Sequence, residues 1–142
     1  MNVSLVLVSH SRKLAEGVAE LAGQMTGGGV ALYPVGGSDD GNGSGDGDGG
    51  GLGTSAPNIL AALEEALQGG GSALVLMDLG SAALNAALAL ELLQEGRERA
   101  ALAEAPLVEG AVLAAVEAAS GSDLNAVRAA AEGAGALKKL PD

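Results

Sequence analysis

The sequence contains no cysteine, no phenylalanine and no tryptophan, and it has a single tyrosine and a single histidine. Without cysteine there is no disulfide, no thiol nucleophile and no thiolate metal ligand. With Tyr33 as the sole aromatic residue there is no stacking platform for bases, and the core must be built from Leu, Val and Ala, whose small volumes require close helix-to-sheet approach. Basic side chains are also scarce: 7 Lys and Arg stand against 18 Asp and Glu, a formal net charge of −11. Such a surface repels phosphate backbones and anionic lipids, which argues against nucleic acid or membrane as a partner and favours a protein with a basic face. No apolar run approaches the roughly 18 residues of a membrane span, and the opening M-N-V-S lacks the basic region of a secretory signal. A soluble, cytoplasmic protein is expected.

What is present fits one domain: 142 residues, 48% of them hydrophobic. The domain is expected over residues 1–135, with 136–142 as a frayed tail. Val3 to His10 reads as a central parallel strand, aliphatic with little polar alternation, and it delivers the lone histidine to its C-terminal tip. Leu14, Val18, Leu21, Ala22 and Met25 then recur at helical spacing, closed by Gly27-Gly28-Gly29. Val30 to Val35 is a second strand, with Pro34 marking an exit or an edge. Ser55 caps a helix carrying Ile59, Leu60, Leu63 and Leu67, with Pro57 near its start. Ala73 to Met77 is a third strand ending in Asp78, and Gly80-Ser81 opens a helix that runs towards Gly96. Ala100 to Ala103 is assigned to a fourth strand because the βα alternation outweighs local helical propensity. Leu107 to Ala119 and a segment capped by Asp123 complete the helices. The expected fold is an open α/β layer structure, a mostly parallel sheet of four or five strands with helices on both faces.

Gly36 to Gly53 is low-complexity sequence with almost nothing to fill a core, expected to be a mobile loop. Asp40, Asn42, Ser44 and Gly45 imitate an EF-hand calcium loop, but Gly51 stands where the bidentate glutamate belongs, so a solvated acidic loop is expected and no metal site.

In an open parallel sheet, ligands sit beyond the strands' C-terminal ends. That edge gathers His10, Gly36-Gly37, Asp78, Gly80-Ser81 and the stretch from Pro106 to Glu109. Histidine can act as base, metal ligand or nucleophile, since near neutrality one ring nitrogen keeps its lone pair. For phosphoryl chemistry one nitrogen attacks, an acceptor holds the other, and helix-start amides receive the anionic oxygens. Asp78 is the candidate orienting or electrostatic partner. Ser9, Thr54, Ser55 and Ser81 offer hydroxyls and Gly80 permits close backbone approach, although each hydroxyl could equally be a cap or turn residue. There is no G-K-[ST] phosphate loop and no G-x-G-x-x-G after the first strand, which disfavours a nucleotide site on this chain.

Taken together, V-S-L-V-L-V-S-H-S at 3–11, L-A-E-G-V-A-E-L-A at 14–22, L-V-L-M-D-L-G-S-A at 74–82 and A-P-L-V-E-G-A at 105–111 closely resemble the phosphotransferase subunits (DhaM family) of phosphoenolpyruvate-dependent dihydroxyacetone kinases. Their domain is similar to the mannose-type enzyme IIA domains of the bacterial sugar phosphotransferase system (PTS). The resemblance implies that His10 accepts a phosphoryl group from phospho-HPr and passes it to ADP bound in a nucleotide-binding, DhaL-like kinase subunit. The regenerated ATP then phosphorylates dihydroxyacetone held by a DhaK-like subunit. It also implies a homodimer, no cofactor bound directly to this chain, a separate HPr carrier, and an active-site wall at the G-T-S of Thr54 and Ser55. Two alternatives share the histidine: a sugar-uptake enzyme IIA that passes its phosphoryl group to an enzyme IIB domain, and a non-enzymatic regulator that senses the phosphorylated carrier.

Overall fold

The computed structural model describes residues 2–37 and 51–142. The calcium-like quartet Asp40, Asn42, Ser44 and Gly45, and most of the proposed Gly/Asp-rich loop, lie outside the described residues.

Four strands, β1 (Val3–Ser9), β2 (Leu32–Gly36), β3 (Ser72–Met77) and β4 (Ala100–Leu102), form one parallel sheet in the order β2-β1-β3-β4. The sheet is therefore four-stranded among the described residues. Every residue of β1 is buried, as a strand flanked on both edges and covered on both faces must be. Because side chains alternate across a strand, Val3, Leu5 and Leu7 enter one core with Leu74 and Leu76, while Val6 and Val8 enter a second with Ala73 and Val75.

The helices are α1 (Arg12–Thr26), α2 (Ala56–Leu67), α3 (Gly80–Leu92), α4 (Leu107–Ala119) and α5 (Leu124–Gly133). Val18 and Ala22 of α1, Ala111, Ala114 and Ala115 of α4, and Val127 and Ala131 of α5 cover the first face. Ile59 and Leu63 of α2, with Ala82, Ala86 and Ala89 of α3, cover the second. The shortage of aromatic volume is thus met by alanine and by glycine: a Cβ on Gly110 of α4 would lie 3.0 Å from Leu76 Cδ2, so this helix rests almost directly on the sheet.

Most boundaries follow the sequence. Ser11, Ser55 and Asp123 cap α1, α2 and α5 through their side-chain oxygens. Gly27 closes α1 in the left-handed conformation (φ +62°). Pro34 lies on β2, an edge strand, where a missing N–H costs no ladder bond on the outer side. Several boundaries move by a residue or more, β4 for instance ending at Leu102 rather than Ala103, and three of the shifts have a visible cause. β1 ends at Ser9, leaving His10 as the first residue past the strand. β2 begins at Leu32 rather than Val30, because pairing starts at Leu5 opposite Leu32, although Val30 is still buried in the first core. α3 stops at Leu92, where Leu93 leaves the helix to bury itself in the second core, and Gly96 (φ +84°) makes the next turn instead of capping the helix.

An imidazole held between a carboxylate and a hydroxyl

From β1 the chain moves to one side to form β2 and then crosses to the other side to form β3, so the strand order reverses between the tips of β1 and β3. A crevice at such a reversal is where open α/β sheets bind ligands. His10 follows β1, Asp78 follows β3, and the Asp78 amide donates to Val8 O at 3.1 Å, holding the two tips in register.

Asp78 approaches His10 with both oxygens. Oδ1 lies 3.0 Å from His10 Nδ1 and accepts the Leu79 N–H at 2.7 Å; Oδ2 accepts the His10 backbone N–H at 2.9 Å and the Ser9 hydroxyl at 3.0 Å. Partial burial on its own raises the carboxyl's pKa. The hydrogen bonds from the His10 amide and ring, the Ser9 hydroxyl and the Leu79 amide together outweigh it and hold Asp78 below its ordinary value. The carboxylate is consequently ionised and acceptor-only, which places the imidazole hydrogen on Nδ1 and leaves the lone pair on Nε2. Ser81 Oγ stands 2.9 Å from Nε2 and donates to it. The His10 side chain remains 26% exposed against 12% for Asp78, and its Nε2–Ser81 bond lies on the exposed side of the site while the Nδ1–Asp78 bond is partly buried.

The other residues singled out from the sequence take distinct places. Ser9 is fully buried, and its hydroxyl bridges Asp78 Oδ2 and the Ser11 N–H (3.0 Å), beneath the site rather than on its surface. Gly36 abuts the turn after His10: a Cβ there would fall 2.7 Å from Ser11 O and from Arg12 Cα, so no larger residue fits without backbone movement. Gly37 follows with φ +86°. Gly80 opens α3, and a Cβ on it would meet open space. Its role is to begin the helix that presents Ser81. Ser55 uses its oxygen to cap α2 through the Asn58 N–H (3.3 Å). Thr54 bonds to Asn85, and Gly53 N–H donates to His10 O at 2.8 Å. Glu109, on the first turn of α4, pairs with Lys139 at 2.6 Å rather than with His10.

Gly53 and Asn85 were not anticipated. Asn85 had a signal: it is the only polar side chain between Ala82 and Leu90, and it stands one helical turn beyond Ser81. Among the described residues no group of three or more His, Asp or Glu side chains could hold a metal ion, and no helix is long and apolar enough to cross a membrane.

A parallel α/β sheet with an oriented imidazole–carboxylate pair at its switch point defines a class of protein equipped to carry a group on histidine. The family described as the PTS system fructose IIA component, EIIA-man, matches residues 4–128, and the chain belongs to this mannose-type enzyme IIA family. Within the family it is similar to subunits named "PEP-dependent dihydroxyacetone kinase, phosphoryl donor subunit DhaM". The Escherichia coli protein is 42% identical over 127 residues, covering 88% of this chain and 25% of its own length. A Listeria innocua protein, named as the donor subunit of dihydroxyacetone kinase 2, is 40% identical over 116 residues, covering 81% of this chain and 85% of its own. The chain thus spans about a quarter of the length of the first of these curated relatives and most of the second. A crystal structure of a protein of unknown function, EF1359, superposes with a TM-score of 0.76 at 34% identity, covering 93% of this chain and 94% of that one.

Proposed function

We propose that this chain is a phosphoryl relay in which His10 Nε2 takes a phosphoryl group from phospho-HPr and gives it to ADP on a DhaL-like kinase subunit, for use on dihydroxyacetone held by a DhaK-like subunit. One observation carries the proposal: the Asp78–His10–Ser81 line, with the carboxylate on Nδ1 and the lone pair of Nε2 turned outward. The relatives named as DhaM support the kinase over sugar uptake.

In the first step the N–P bond to Nε2 forms as the donor's N–P bond breaks. His10 keeps its Nδ1 hydrogen and becomes a positively charged phosphoimidazolium, which the ionised Asp78 stabilises. Ser81 gives up Nε2 and turns its hydroxyl to a phosphoryl oxygen, beside the Gly80 and Ser81 amides at the start of α3. In the second step the N–P bond breaks, a terminal phosphate oxygen of ADP takes the phosphoryl group, and Nε2 regains the Ser81 hydrogen bond. ADP is held by the partner subunit, and this chain supplies no cofactor of its own. A homodimer belongs to the same reading; light scattering at twice the 13.6 kDa chain mass supports it and a monomer refutes it.

The test is a reconstitution with phosphoenolpyruvate, enzyme I, HPr, both other kinase subunits and dihydroxyacetone. Wild type is expected to yield dihydroxyacetone phosphate and His10→Ala none. Product formed without His10 refutes the relay, and label that reaches His10 but moves to an enzyme IIB domain instead of ADP assigns the chain to sugar uptake.

A further inference from the structure

We infer that Asn85 is a positioning residue for phosphoryl transfer at His10, latching the segment around Thr54 to α3 so that the wall beside the imidazole is set before the phosphoryl donor arrives; the inference rests on the relay reading above. Its amide Nδ2 donates to Thr54 Oγ1 at 2.7 Å and lies 3.3 Å from Thr54 O, so one side chain holds both the hydroxyl and the backbone of that residue.

Three consecutive residues are pinned to three different elements. Gly53 N–H bonds His10 O at the tip of β1, Thr54 bonds Asn85 of α3, and Ser55 caps α2. Gly53 adopts φ +138°, a conformation that glycine reaches without strain and that aims its amide at His10. Asn85 lies four residues after Ser81, whose hydroxyl is on Nε2. The bonds therefore close a circuit: His10 carbonyl to Gly53, Thr54 to Asn85, along α3 to Ser81, and from Ser81 back to the His10 ring. Without Asn85 the circuit opens at the hydrogen-bonded link that, among the described residues, joins Thr54 to the helix bearing Ser81. The imidazole keeps Asp78 and Ser81, so the intrinsic nucleophile is unchanged, whereas the wall that a docking protein must meet is no longer fixed.

The consequence is a split between binding and chemistry. With phospho-HPr as donor and phosphorylated His10 as the readout, Asn85→Ala is expected to raise KM for the donor about five- to tenfold, the loss of about one hydrogen bond, while kcat stays within about twofold. In the Gly53 exchange readout, Thr54→Ser, which keeps the acceptor oxygen, is expected to hold the latch as wild type does, and Thr54→Val to fall between wild type and Asn85→Ala. Amide exchange at Gly53 should speed up in Asn85→Ala while exchange within β1 and the melting temperature hold. An unchanged KM with unchanged Gly53 exchange overturns the inference, as does a loss of kcat that tracks a general loss of stability. If wild type accepts no phosphoryl group at all, the relay reading falls, and Gly53 exchange in Asn85→Ala still decides whether the latch exists.

Discussion

At the scale of single residues, Asp78 is what turns an ordinary surface histidine into an oriented one. It spends both oxygens on the His10 strand tip: the ring and the Leu79 amide on one, the His10 amide and the Ser9 hydroxyl on the other. Asp78→Asn keeps the size of the side chain but removes the charge that stabilises a phosphoimidazolium, and its amide nitrogen must confront donors. Phosphoryl transfer to His10 should fall about a hundredfold, measured as the rate of label incorporation from phospho-HPr at saturating donor. The same residue contributes to acid stability. Its pKa is depressed in the folded protein, so the folded state binds fewer protons than the unfolded chain. The stabilisation is fully present above the ordinary value of 3.8 and is lost as pH falls through the lower folded value. Urea unfolding from about pH 5 down to about pH 2.5 should show a steeper loss of stability in wild type than in Asp78→Asn; parallel curves would mean that Asp78 is not held ionised by its partners.

At the scale of elements, the site is made of termini. The ends of β1, β2 and β3 and the starts of α1 and α3 meet there, and three of those ends were legible because their residues are unambiguous: a strand of seven aliphatic or small residues running into His10, a run of A-L-V-L-M stopping at Asp78, and Gly-Ser opening a helix. What was hidden is contact between distant elements. Asn85 reaches Thr54 across 31 residues of sequence and Gly53 reaches His10 across 43, and no local pattern encodes either distance. Ser9 has its place for a related reason: one residue before the histidine it offers a site hydroxyl, but as the last residue of a strand covered on both faces it is fully buried and supports Asp78 from beneath. Gly36 shows the reverse, a glycine whose need comes from packing rather than from flexibility. In Gly36→Ala the new methyl would sit 2.7 Å from the backbone of Ser11 and Arg12. Unfolding free energy should drop by about 2–3 kcal/mol in urea titrations. Transfer to His10 should weaken as well, since the displaced turn carries the histidine. A variant as stable as wild type would show that β2 and the start of α1 can part freely.

At the scale of the whole molecule, doubly wound topology brings distant residues together and composition decides how they are met by a partner. Strand order 2-1-3-4 was implicit in the βα alternation only as far as parallel strands and two covered faces; the reversal between β1 and β3 that makes the crevice is a property of the assembled sheet. Charge, by contrast, is read directly. The chain carries −11 overall, yet Arg12 and Lys13, the only basic residues among the first 96, follow the histidine and occupy the first turn of α1. A helix N-terminus disfavours cations there, so their placement is not explained by helix stability; on the relay reading it lessens the acidic field on the segment that follows His10. On the relay reading, the global field attracts a partner with a basic face and is screened over about 10 Å at 0.1 M salt. Raising sodium chloride from about 50 mM to about 500 mM should therefore raise KM for a basic phosphoryl donor several-fold while kcat changes little, because long-range attraction sets encounter and the Asp78–His10–Ser81 line sets chemistry. The measurement is steady-state phosphorylation of His10 at the two salt concentrations. A KM that stays flat would show that the acidic surface plays no part in recruiting the donor, and a fall in kcat alone would place the salt sensitivity within the site itself.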